Sequence, residues 1–239
     1  MKLLRIEGEG ITTSFRYPFF MMGRHPTFPM PPPATIYGHV CSSVGEWVNP
    51  EGLQFGYWFS CAGHGLDLEH IHLLGASTGS FELDGRQYPK RAEGNVNPFK
   101  RDLLFQPRLT LYLNRPDWVE AFRSPHYPVV LGRSQDLFTY TDVRVIDAEE
   151  APAYVENTIL PFGFEAWGRG TSVVMPRFID YERGREVEFE PYLAVTGRMF
   201  PESSMLVDPG SPDVRDERGV PRKRAIVLHS FRSSAGGPA

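Results

Sequence analysis

Proline and glycine constrain this chain more than any other feature. Its 239 residues include 22 prolines and 23 glycines. Proline at about twice its ordinary usage breaks helices wherever it falls beyond a first turn. Six of the prolines crowd between Pro18 and Pro33. Such punctuation predicts many turns and few long helices. The length suffices for one large domain or two small ones with a sizeable core. A formal net charge of −4 excludes a protein that binds nucleic acid with its whole surface, so any such binding must use local patches. No apolar run reaches the roughly 18–20 residues of a membrane span. Glu7 and Glu9 stand where a signal peptide would need an apolar core. Two cysteines, Cys41 and Cys61, are too few for a disulfide framework, so a cytoplasmic protein without membrane contact is expected.

Lys2 to Glu9 alternates Leu4 and Ile6 against Arg5 and Glu7, the pattern of a half-buried strand. A long loop over 11–33, rich in aromatics, Met and Arg, follows; loops of that length are functional or disordered, and the aromatics argue against disorder. Pro31-Pro32-Pro33 opens a helix predicted over 34–48, with Ile36, Val40, Val44 and Val48 on one face. Strands are predicted over 53–61 and 66–74, an insertion over 77–101 with a hairpin turn at Asp84-Gly85, and one alternating strand over 103–113. A short helix starts at Pro116, and two strand-like runs flank GRSQDL between 129 and 146. The first 147 residues thus read β, α, β, β, α, β with an extended arm at 77–101, an α+β, ferredoxin-like unit. The remainder, 148–239, reads as a β-rich C-terminal part, with a mobile polar loop about 201–224 and a last strand at 225–231.

Several patterns suggest chemistry. Gly75-Ala76-Ser77-Thr78-Gly79 matches the nucleophile elbow of serine hydrolases, which needs a strand before it and a helix after it; the residues that follow Ser77 do not read as a helix. Cys61, His64, His70 and His72 resemble a metal cluster, but their spacing is loose and ordinary sheet histidines are expected instead. Gly168-Arg169-Gly170 does not sit in a βαβ unit as a dinucleotide site requires. No cofactor or metal is expected. The stretch 82–101 carries Arg86, Lys90, Arg91, Lys100 and Arg101 against Glu82, Asp84 and Glu93, a net +2 in an acidic chain, with Tyr88 and Phe99 among the charges. Cations attract phosphate and aromatic faces stack bases, yet a solvated hairpin has the same composition, and charge alone leaves the two readings open. The loop residues Arg16, Tyr17, Phe19, Phe20, Arg24 and His25 pose the same choice between RNA contact and packing on the sheet. Leu131-Gly132-Arg133-Ser134 offers another basic residue beside a glycine.

Ser14-Phe15-Arg16 after the first strand, Pro32-Pro33-Ala34-Thr35-Ile36-Tyr37-Gly38 opening the first helix, and Leu131-Gly132-Arg133-Ser134 after the second together resemble CRISPR-associated protein family 5, the RAMP-type subunit of the Cascade effector complex. The resemblance covers about residues 1–147, and the arm 77–101 is similar in place to that family's thumb. It implies a subunit that caps the 5′ handle of CRISPR RNA, meets the backbone subunit through the thumb, docks the large subunit and reaches target DNA through the complex. The residues it assigns to RNA are Arg16, Thr35, Tyr37, Gly38, Arg133 and Ser134; Tyr17 and Arg24 join them from the loop, and Arg86, Lys90 and Arg91 rest on charge alone. One branch of the family cleaves repeat RNA without metal, using tyrosine, lysine and histidine. This sequence lacks that branch's Lys-His pair, which leans toward a type I-B-like subunit, and its helix start looks more like the non-cutting branches. A binding role without catalytic residues is therefore expected, with repeat cleavage through Tyr37, Lys90 and His126 as the alternative and hydrolysis through Ser77 as a remote one. The arm, short of large apolar residues on this reading, is expected to be mobile until assembled.

Overall fold

The structure is a computed structural model describing residues 1–19, 23–90, 92–167 and 170–232. Its first half comprises β1 (Lys2–Gly10), β2 (Thr12–Thr13), β3 (Arg24–His25), α1 (Pro33–Val44), β4 (Gln54–Ser60), β5 (Gly63–Ala76), β6 (Ser80–Leu83), β7 (Arg86–Pro89), β8 (Ala92–Phe105), β9 (Arg108–Leu113), α2 (Val119–Arg123) and β10 (Phe138–Asp147). The central sheet has the order β10-β1-β9-β4, antiparallel throughout. Alternation sends Leu4, Ile6, Phe55, Tyr57, Leu109, Leu111 and Leu113 into one core with Ile36 and Val40 of α1. Helix α1 is shorter than its apolar periodicity suggests. Gly45 takes φ 94° and donates its backbone N–H to the Cys41 carbonyl at 2.8 Å, a left-handed cap that ends the helix and leaves Val48 to be buried from the loop beyond.

The insertion is larger and more regular than expected. β5 and β8 pair residue for residue from Gly63–Phe105 to Ala76–Ala92, a ladder of 14 residues per strand and roughly 45 Å long. β6 and β7 form a hairpin at its far end, turning at Asp84 and Gly85 with φ 52° and 73°, the both-positive geometry of a type I′ turn. The arm thus begins at Gly63, and Leu103 to Leu113 is two strands, parted where Gln106 takes φ 48° ahead of Pro107. Nor is the arm short of apolar residues: Leu66, Leu68, Leu74, Phe81, Leu83, Tyr88 and Val96 are all exposed on it.

The C-terminal part comprises β11 (Glu149–Ala151), β12 (Ala153–Tyr154), β13 (Thr158–Pro161), β14 (Thr171–Asp180), β15 (Glu186–Val195), β16 (Met205–Asp208), β17 (Val214–Arg215), β18 (Pro221–Ala225) and β19 (His229–Ser230). β19 pairs with β4 and extends the central sheet. Ile159, Met175, Phe178, Tyr192 and Phe231 share the core of the first half, so the chain is one packed body across residue 147. The stretch 201–224 is not a loop. β16 pairs with β11 and β18, and the sheet they form meets the polar face of β1: Arg5, 4% exposed, donates from Nε to Asp208 Oδ2 at 2.9 Å, and Tyr112 Oη donates to the same oxygen at 2.7 Å. β1 is therefore buried on both faces rather than half-buried. Among the described residues no helix is long and apolar enough to cross a membrane.

Candidate functional site

The loop after β2 folds back on itself before reaching α1. Phe15 is buried edge-on to Phe59 at 5.6 Å and its carbonyl accepts the Phe28 N–H at 2.8 Å. Tyr17 stacks on Phe28 at 3.7 Å. The aromatics of this loop thus divide: Phe15 and Phe28 pack into the core, whereas Phe19 is exposed and lies 5.2 Å from Phe189 of β15; Phe20 lies outside the described residues. Ser14 and Phe15 are both buried, the Ser14 hydroxyl donating to the Asp102 carbonyl at 2.8 Å, whereas Arg16 is exposed. Pro32 and Pro33 start α1 so that Thr35 and Gly38 face the same side as Arg16. Gly132, at φ 97°, presses against β2; a Cβ there would stand 2.5 Å from Thr13 Oγ1 and 2.8 Å from the Ser14 carbonyl oxygen. Its glycine is required by this close approach.

These three segments converge on one cleft of about 530 Å³. One wall holds Arg16, Arg101, Arg133 and the first turns of α1, including Thr35 and Gly38; the other is apolar, formed by Pro176 and Ile179 of β14 and Val187 of β15. The positive end of the α1 dipole adds to the charge of the first wall. Of the three arginines two are engaged. Arg133 binds Asp136 through Nε at 2.9 Å and reaches Asp67 at 3.2 Å. Arg101, buried, donates from Nε to Glu69 at 2.6 Å. Burial pushes the Glu69 carboxyl up, but the hydrogen bond and charge of Arg101 outweigh it and hold it below the usual carboxylate range. Arg16 is exposed and, among the described residues, has no carboxylate partner.

The other sequence-assigned residues lie elsewhere or are otherwise occupied. Tyr37 is buried, edge-on to Phe178 at 5.0 Å and Phe231 at 5.3 Å, with its hydroxyl donating to the Val48 carbonyl; burial first, and the neighbouring Cys41, push that hydroxyl well above its ordinary range. It faces the core, not the cleft. Arg24 is exposed but forms a bidentate pair with Asp102 at 2.9 and 3.0 Å. Ser134 is exposed beside Arg133. Arg86 stands at the arm's tip and Lys90 at the base of the tip hairpin; Arg91 lies outside the described residues. Ser77 is followed by β6 and its hydroxyl accepts the Gly79 N–H, so GASTG joins two strands and no nucleophile elbow forms. Among the described residues no group of His, Cys, Asp and Glu is arranged for a metal. Gly168 and Arg169 lie outside the described residues.

Two features escaped the sequence. His39 on α1 lines the cleft from beneath; its Nδ1 is 2.9 Å from the Val130 carbonyl and its Nε2 2.8 Å from Tyr140 Oη, which meets Ser43 Oγ at 2.7 Å. Burial holds this histidine below its ordinary pKa, and its bonds fix α1 to β10 and to the segment carrying Gly132. The apolar wall was also missed, because it comes from β14 and β15, more than forty residues beyond the last motif.

No protein-family model matches the chain, and no curated protein does. Among solved structures, one with 12% identity, from Archaeoglobus fulgidus and described as a CRISPR protein, aligns over 96% of this chain and 99% of its own with a TM-score of 0.42. A chain from a CRISPR RNA-guided surveillance complex aligns over 87% of this chain and 93% of its own, at 15% identity and a TM-score of 0.50; this chain shares its fold.

Proposed function

We propose that this chain is a non-catalytic, type I-B-like subunit of a CRISPR Cascade effector complex that holds the 5′ handle of CRISPR RNA in the cleft beside Arg16. The observation that carries the reading is the convergence of Ser14–Arg16, Pro32–Gly38 and Leu131–Ser134 on one cleft that keeps an unpaired arginine on one wall and an apolar surface on the other. Such a cleft suits single-stranded RNA, with phosphate on the cation and bases against the apolar side. The order β10-β1-β9-β4, with α1 and α2 following the first and third of its strands in sequence, supports a ferredoxin-like RAMP core. On this reading the arm meets the backbone subunit, the body docks the large subunit, and target DNA is reached through the assembly.

The repeat-cleaving alternative draws no support from the placement of its residues. Tyr37 is capped by a carbonyl in the core, Lys90 is on the arm beyond the long ladder, and His126 packs over Gly45. Purified chain incubated with labelled repeat RNA in chelator should retain the 5′ handle uncut and prefer it to a scrambled RNA. Cleavage at one position, abolished by Tyr37→Phe, would establish the ribonuclease reading instead.

A further inference from the structure

The apolar wall continues past the edge of the cleft. Val187 and Phe189 are two residues apart on β15 and leave the same face of its sheet. Across the ladder Val187 stands in register with Ile179, and Phe189 with Pro176. Pro176, Ile179 and Val187 line the cleft, so Phe189 extends their face by one cross-strand neighbour, about 5 Å from Pro176. Glu188 and Glu190 leave by the opposite face, toward Arg232 and Arg177, which keeps carboxylates off this one. From the loop side Pro18 lines the cleft and Phe19 follows it. Phe19 is 67% and Phe189 39% exposed, and their rings meet at 5.2 Å with planes 31° apart. Single exposed apolar side chains are ordinary. Two aromatic rings in contact, both open to solvent and continuous with an apolar wall, call for a cover from outside the chain.

The surroundings favour a nucleobase as that cover. Arg16, exposed and without a carboxylate partner among the described residues, precedes Phe19 by three residues in the same loop, a separation of at most about 11 Å along the backbone. A cation that attracts phosphate beside an aromatic face that receives a base is the combination single-stranded RNA uses; an apolar protein segment would leave the cation unused. We propose that Phe19 and Phe189 form a base-stacking subsite at the rim of the cleft, where a nucleobase of the bound strand lies on the exposed rings while a neighbouring phosphate pairs with Arg16. The proposal rests on the reading of the cleft as an RNA site. Neither ring offers a hydrogen bond, so the subsite reads the face of a base and not its edge. It tolerates any base and favours the larger stacking surface of a purine.

The test titrates the full chain, over a series of salt concentrations, with a labelled single-stranded RNA carrying the repeat-derived 5′ end. Copies of that RNA in which one nucleobase at a time is replaced by an abasic ribose are titrated in parallel. Phe19→Ala combined with Phe189→Ala should weaken binding of the intact RNA by about 5- to 100-fold, the range for one stacked base. The salt slope should stay as in wild type, whereas Arg16→Ala lowers it. Phe189→Tyr, which keeps the ring, should bind as wild type does. Removing one particular base should cost wild type a similar factor and cost the double variant nothing further, a coupling that locates the stacked base. Both rings are exposed, so the double variant should keep the thermal midpoint of wild type. Intact RNA bound equally by the double variant and wild type, or abasic positions that cost both proteins equally, would overturn the subsite while leaving the cleft intact. Normal RNA binding by a double variant that no longer joins the assembled complex would overturn it in favour of a protein contact. If wild type binds no RNA, or Arg16→Ala binds as well as wild type, the cleft reading falls and the subsite with it.

Discussion

Arg16 and Arg133 look alike in sequence, each an arginine beside a turn-forming or proline-rich segment, and their surroundings give them different work. Arg16 is exposed without a carboxylate partner among the described residues. Arg133 is 11% exposed and clasps Asp136, which is 1% exposed and also takes the Thr12 hydroxyl at 2.9 Å. Arg16→Ala should weaken RNA binding by about 1.5–3 kcal/mol, lower the salt slope by about one, and shift stability by less than about 0.5 kcal/mol. Arg133→Ala strands a buried carboxylate and should cost about 3 kcal/mol of folding stability. Urea unfolding and RNA titration of both variants separate the two roles; a loss of RNA binding by Arg133→Ala with unchanged stability would reverse the assignment. Asp136, three residues after Arg133, is in view in the sequence, but its burial is not, and the other partner, Asp67, comes from the distant arm. Tyr37 misled for a related reason. The Ile36–Val40 stripe meets the sheet, but α1 is covered again by β14, where Phe178 packs on Tyr37, and no sequence period reveals a second cover.

At the scale of elements, β1, α1, β4 and the Asp84-Gly85 turn were legible because alternation, proline at a helix start and turn chemistry are local. The true extent of the arm was not. His64 to Ala76 mixes Gly, His, Leu and acids without alternation, since most of both faces of the ladder is exposed and no buried face imposes a period on it. Its root is held by Arg101–Glu69, Arg133–Asp67, Arg24–Asp102 and the pairing with β2 and β3. Beyond His70 each strand pairs, among the described residues, only with the other, and an isolated two-stranded ribbon is marginal in water. Amide exchange in the free chain should therefore be slow over 101–105 and quicken steadily toward the tip at 84–85, with the distal half gaining protection in the assembled complex. Uniform protection along the free arm, or none gained on assembly, would contradict this gradient and the role given to the arm in docking.

At the scale of the whole molecule, a division at residue 147 is natural in sequence, because the apolar periodicities stop there and prolines and charges take over. The structure joins the halves through two surfaces that such a reading cannot detect: the apolar core shared with β13, β14 and β15, and a polar seam where Arg5 meets Asp208. The seam explains why 201–224 looks mobile on paper. Its order comes from Asp208, fully buried, whose side chain takes Arg5, Tyr112 and the Gly210 N–H while its carbonyl takes the Ser211 hydroxyl; a polar residue doing the packing of a core residue leaves no hydrophobic signal. Arg5 also contacts Glu7 and Asp142, so removing Asp208 does not strip its charge bare, yet it removes the partner nearest to full burial and, with it, the hydrogen bonds from Tyr112 and the Gly210 N–H. Asp208→Ala should destabilise the chain by about 3–5 kcal/mol in a single unfolding transition. Arg5→Leu combined with it should cost less than the sum of the two single changes, with a coupling of about 1 kcal/mol or more, as expected for residues in one buried network. Additive costs, or an Asp208→Ala transition in which 201–230 unfolds alone while 1–147 stays folded, would mean that the C-terminal part is an appendage and that the second face of β1 does not depend on it.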